Sequence, residues 1–120
     1  MQHVCVAFPL LPGKSDAARA FMRQLDENRR NEYDRSERRI GIVKEIWYLA
    51  ALPSGDHLIG YMESADFQAA FREFAGSRDP FDAWFKNQFL EVTGFDFENP
   101  PANVAFPELL SLYEPSTAAL

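Results

Sequence analysis

A chain of 120 residues, 47% hydrophobic and 14% aromatic, has ample material for one packed domain, and a composition of this kind opposes disorder away from the ends. Eighteen acidic against twelve basic residues leave a net charge of -6, which disfavours nucleic-acid phosphates and anionic membrane surfaces as partners. The single cysteine, Cys5, excludes an internal disulfide; with no signal-peptide pattern and no apolar run near the roughly 20 residues that span a bilayer, a cytoplasmic protein is expected.

Residues 3–8 are rich in β-formers, and Pro9 and Pro12-Gly13 close them off as a strand. Ser15 reads as a helix N-cap with Asp16 in the first turn. Ala18, Phe21, Met22 and Leu25 then recur at helical spacing and form a core-facing stripe. Beyond Leu25 the stripe fades into charge. Arg29, Arg30, Arg35, Arg38 and Arg39 alternate with Glu27, Glu32, Asp34 and Glu37, the pattern of a solvated helix face with pairs three or four apart. Tyr33 and Ile40 are the main apolar residues before Gly41. Either the helix projects beyond the sheet here or it breaks within residues 28–31.

Residues 43–51 and 57–63 form a hairpin about the turn 52–56, whose Pro53, Ser54, Gly55 and Asp56 supply turn chemistry. Asp66 caps a short helix ending near Gly76. Asp79-Pro80 restarts one, with Phe81, Trp84, Phe85 and Phe89 as its buried stripe and Gly94 as its stop. Phe95-Asp96-Phe97 reads as a last strand. The order β-α-β-β-α-β predicts an α+β, ferredoxin-like domain over residues 1–98, with a four-stranded antiparallel sheet and its helices on one face. The other face then needs a cover, which makes a homodimer the expected partner state. Residues 99–120 form a proline-rich tail (Pro100, Pro101, Pro107, Pro115), and its apolar stretch 109–113 packs on its own domain or on a partner subunit.

Strand alternation places residues of one parity on one face. Even positions, such as Val4, Val6, Phe8, Ile46, Leu58 and Met62, are apolar and suit packing under helices. Odd positions are mixed: His3, Cys5, Glu45, Trp47, His57, Ile59 and Tyr61. Provided the hairpin keeps odd with odd, these line the face away from the helices. Such a surface has two readings. As a ligand site, Glu45, Trp47, His57 and Tyr61, with His3 at the rim, combine apolar walls with a few converging polar groups. Histidine is suited to proton transfer near neutrality, with Glu45 to assist it. As a subunit interface, Trp47 and Tyr61 are anchors and Glu45 finds a partner across the seam.

Two separated histidines and one cysteine make no zinc site. There is no glycine-rich phosphate loop and no Gly-x-Ser-x-Gly elbow, so neither a metal nor a cofactor is expected. Cys5 reads as a packed strand residue. The two acids of Asp79-Pro-Phe-Asp82 mark a helix start, and arginines of the preceding helical region are their possible partners.

Several segments carry a resemblance. They are Pro12-Gly-Lys14, Arg38-Arg-Ile-Gly41, Glu45-Ile-Trp-Tyr-Leu49, Gly55-Asp56 before a strand ending in Tyr61-Met-Glu63, and Asp79-Pro-Phe-Asp-Ala-Trp-Phe85. Together they resemble a bacterial family of unknown function in the dimeric α/β-barrel superfamily. The resemblance implies a homodimer in which two four-stranded sheets close one barrel. Its wider relatives include small monooxygenases of polycyclic aromatics, haem-degrading enzymes, mutarotases and stress-response proteins. None of their functional residues can be matched here, so no activity carries over. Three readings of function follow. One is binding of a small apolar or aromatic molecule. Another is a non-catalytic dimer module with a filled barrel. A third is a cofactor-independent monooxygenase-like enzyme.

Overall fold

The computed structural model describes residues 1–101 and 106–115, so the parts of the tail at 102–105 and 116–120 lie outside the described residues. Seven elements follow in chain order: β1 (Gln2–Pro9), α1 (Ser15–Asp26), α2 (Arg30–Ile40), β2 (Ile42–Leu52), β3 (Gly55–Ser64), α3 (Phe67–Gly76) and α4 (Pro80–Thr93). The sheet is antiparallel with β3 central, in the order β1-β3-β2.

Local signals place most of the boundaries. Asp66 accepts a hydrogen bond from the Ala69 amide at 3.1 Å and starts α3. Asp79 accepts from the Phe81 amide at 3.0 Å, with Pro80 in the first turn of α4. Gly94 adopts a left-handed φ of 78° and ends α4, its amide bonded to the Leu90 carbonyl. Ser15 departs from expectation. It is the first residue of α1 rather than its cap, and its hydroxyl donates to Asp56 Oδ2 at 2.6 Å. The first helical region does break, at residues 27–29. That lets α1 bury Ala18, Phe21 and Leu25 while α2 buries Tyr33 and Ser36.

The expected fourth strand is absent among the described residues, and this overturns the ferredoxin-like βαββαβ assignment. The sheet has three strands and the helices number four. The four-stranded half-barrel on which the dimeric α/β barrel rested is absent with it. Phe95 and Phe97 do share a side, as in a strand, but they spend it on the helices. The Phe97 ring lies 5.1 Å from Phe89 and 5.3 Å from Phe74, both edge-on. Asp96 then turns the chain, accepting from the Glu98 amide at 2.9 Å. Pro100 and Pro101, which follow, have no amide to donate to a ladder.

The second correction concerns parity. The hairpin loop has two residues, so Leu52 pairs with Gly55, and from Lys44 to Leu52 each β2 residue opposes a β3 residue of the other parity. Glu45 pairs with Met62, Trp47 with Gly60 and Leu49 with Leu58. Between β1 and β3, even opposes even: Val4 with Met62, Val6 with Gly60. Glu45 and Trp47 therefore lie on the helix-covered face, not with His3, His57 and Tyr61 on the open one. An irregularity between Ile42 and Lys44 shifts the phase back, leaving Ile42 buried and Val43 64% exposed. Gly60 serves this arrangement directly. A Cβ there would sit 2.7 Å from the Trp47 ring, so only glycine lets the indole lie across β3.

Candidate functional site

Between the covered face of the sheet and helices α2, α3 and α4 lies a cavity of about 400 Å³. Its walls are mostly aromatic, with Phe67, Phe71, Phe74, Phe81 and Phe85 among them, and Phe106 and Pro107 of the C-terminal segment also line it. A volume of this size is in the range of small-molecule pockets.

Four side chains give the cavity its polar spot: Tyr33 and Glu37 from α2, Glu45 and Trp47 from β2. Tyr33 and Glu37 are four residues apart and so share a helix face. Gly41, the left-handed cap of α2, leads straight into β2, and this connection brings Glu45 back beneath Tyr33. The Tyr33 hydroxyl donates a short hydrogen bond to Glu45 Oε2. The Trp47 indole N–H donates to the same oxygen at 2.9 Å. Glu37 Oε2 is buried without a hydrogen-bond partner. Burial, followed by the charge of Glu45, a hydrogen bond with it and the charge of Asp82, pushes the Glu37 carboxyl up to about 10. Near neutrality Glu37 is thus an uncharged acid sharing its proton with Glu45. Tyr33 is raised above the ordinary phenol range, mainly by burial and then by Glu45 and Glu37.

A second polar cluster stands behind the first. Asp82 is fully buried and accepts from Ser36 Oγ at 2.5 Å, from Ser77 Oγ at 2.6 Å and from the Arg39 guanidinium. Arg39 also lies 3.7 Å from Asp79. Lys86, nearly as buried, donates to the carbonyls of Ala75 and Ser77 and to Glu98. Every partner of Asp82 joins α2 or the α3–α4 connection to α4. This cluster stitches helices together, and Asp82 and Arg39 do not line the cavity. It meets the sequence reading that the acids of Asp79-Pro-Phe-Asp82 could find arginines from the first helical region.

The predicted site residues divide between the two faces. Glu45 and Trp47 meet in the cavity. His3 and Tyr61 meet on the open face, where His3 Nδ1 lies 2.7 Å from the Tyr61 oxygen and Tyr61 donates to Glu63 Oε2 at 2.9 Å. Lys44 Nζ stands 3.9 Å from the same carboxylate oxygen. His57 joins neither group; it sits beside the turn with Nδ1 2.8 Å from the Gly55 carbonyl. Tyr33 and Glu37 were missed because they were read within a solvated charged run. Their signal was the spacing Tyr33-x-x-Ser36-Glu37-x-x-Ile40, an amphipathic stripe inside that run.

Among the described residues no group of three or more His, Cys, Asp or Glu side chains is arranged to hold a metal ion, and no helix is long and apolar enough to cross a membrane. No curated protein and no solved structure matches the chain. One family model does match, over residues 1–110, nearly the whole length. The chain, with its carboxylate pair set in an aromatic cavity, belongs to the family of unknown function DUF6176.

Proposed function

We propose that the protein binds a small, largely apolar molecule in the cavity between the sheet and helices α2, α3 and α4. The observation that carries this reading is the cavity itself: about 400 Å³, walled by phenylalanines, with Glu45 on its wall beside Tyr33, Glu37 and Trp47. A core filled to ordinary density has no such space. An apolar hollow with one polar cluster is the usual makeup of a specific pocket. The test is titration with N-phenylnaphthylamine, an uncharged probe that brightens in apolar surroundings. One probe should bind per chain, and Ala70→Phe, which places a ring where Ala70 lines the cavity, should abolish binding while the far-UV spectrum stays unchanged. Absence of binding at micromolar concentration, or binding untouched by the filling variant, overturns the reading.

A separate observation favours a second property, self-association. The open face of the sheet presents Tyr48 at 59% exposure together with exposed Cys5 and Ala7. The C-terminal segment leaves Leu110 and Tyr113 at 86% and 85% exposure, and the charge of Glu114 reaches Tyr61 on that open face. Tail and open face thus both present exposed apolar side chains, and a second copy related by a two-fold axis would cover them. Sedimentation velocity at micromolar concentration should return a dimer that Tyr48→Asp or Leu110→Asp dissociates. A lone subunit in the unmodified protein sinks this second reading and leaves the cavity untouched.

A further inference from the structure

We propose that the ligand of this cavity is an organic cation, an aromatic or alkyl body whose single ammonium head sits against Glu37 and Glu45. The inference rests on the binding reading above and adds the charge of the occupant.

Three observations converge on it. The cavity lining contains two carboxylic side chains and no lysine, arginine or histidine. An anionic ligand such as a fatty acid or a phosphate ester would meet a carboxylic pair and no cation there. The donors are also already committed, because the Tyr33 hydroxyl and the Trp47 indole both point at Glu45 Oε2. Glu37 Oε2 is buried without a partner, and the one hydrogen left to the pair is the proton Glu37 holds; a ligand that displaces it must bring hydrogen of its own. Third, the walls are aromatic, with Tyr33, Trp47, Phe81 and Phe85 among the lining residues. Aromatic faces attract a cation that has been stripped of water.

Without a ligand, one proton does this work. The groups facing Glu37 are Tyr33 on its own helix, Glu45 on β2 and Asp82 on α4. The guanidinium of Arg39 is engaged by Asp82 and Asp79. With no lysine, arginine or histidine among the described residues that line the cavity, Glu37 keeps its proton. An ammonium group entering the site takes over that neutralising role and expels the proton. Cation binding is therefore coupled to proton release and tightens as pH rises from the acid side.

The test compares three molecules of one shape by isothermal titration: phenylpropylamine as the cation, butylbenzene as the neutral isostere and phenylpropionate as the anion. The amine should bind about tenfold or more tighter than butylbenzene, and phenylpropionate should not bind. Repeating the amine titration in two buffers of different ionisation enthalpy should report release of about one proton per ligand near neutrality. In Glu45→Gln the preference for the amine should disappear while butylbenzene still binds, and in Glu37→Gln, which keeps the Glu45 carboxyl in the cavity, the proton release should disappear. Glu37→Gln puts an amide N–H where the Glu37 carboxyl holds its proton and leaves the Tyr33 and Trp47 donors to Glu45 in place, so it remains the usable variant if Glu45→Gln fails to fold. Butylbenzene binding as tightly as the amine, or proton release unchanged in Glu37→Gln, overturns the cation and leaves the cavity reading standing. Binding of none of the three overturns both.

Discussion

The two faces of the sheet carry the same kinds of residue and put them to different use. Beneath the helices, Tyr33, Trp47, Glu37 and Glu45 form a cluster set in phenylalanine. On the open side, His3, Tyr61, Glu63 and Lys44 form a network of similar composition. The difference lies in water. Solvent screens the open network, so its members gain or lose little by pairing. The covered cluster has no such screen, and burial changes the protonation of Glu37. Tyrosine–glutamate pairs are thus desolvated on one face and hydrated on the other, according to what lies above them.

This contrast can be broken most forcibly behind the covered face. Asp82→Ala should destabilise the fold by about 3–5 kcal/mol, because Arg39, Ser36 and Ser77 then lose a common buried acceptor. Denaturant unfolding with an unchanged slope measures it. Gly60→Ala should cost about 1–3 kcal/mol, since the added Cβ meets the Trp47 ring at 2.7 Å. A shift in Trp47 emission should accompany that loss as the indole moves off Glu45. If stability falls without any spectral change, the glycine serves some purpose other than seating the indole.

Glu37→Gln sharpens the comparison through pH. The folded Glu37 carboxyl lies at about 10 against an ordinary 4.5, so the folded state holds a proton that the unfolded chain releases. Stability from this proton is complete below 4.5 and is lost as pH climbs towards about 10, by at most about 1.4 kcal/mol per pH unit. The Gln variant carries no titrating group there. Its unfolding free energy should fall less steeply than that of the parent protein across this window, and its relative stability should grow with pH. Parallel curves would show that Glu37 titrates normally. The smallest effect belongs to the open face: Tyr61→Phe should change stability by less than about 0.5 kcal/mol. A larger loss in a sample shown to be monomeric would mean that this network is not solvent-screened.

How much of this was legible beforehand varies by residue. Glu45 and Trp47 were recognisable as site candidates from their place in a mixed strand, yet on the wrong face. One feature decided that: the two-residue turn at Pro53-Ser54, which opposes Leu52 to Gly55. Glu37 was hidden in plain view among nine charged residues, and only the stripe through Tyr33, Ser36 and Ile40 marked its face as inward. His57 had the right chemistry for a site and the wrong position, beside a turn.

The amino-acid sequence by itself determined the elements and most of their ends. Helix caps such as Asp66 and Asp79, the stops at Gly41 and Gly94, and the hairpin turn act through bonds spanning a few residues, so local chemistry suffices. Tertiary structure alone decided three things: which way β2 faces, that Phe95 and Phe97 pack on helices rather than pair as a strand, and that Glu37 meets Glu45 in a cavity. Each depends on groups distant along the chain competing for the same interior. The winner is set by the packing of the whole fold, where burial makes Glu37 an acid that holds its proton.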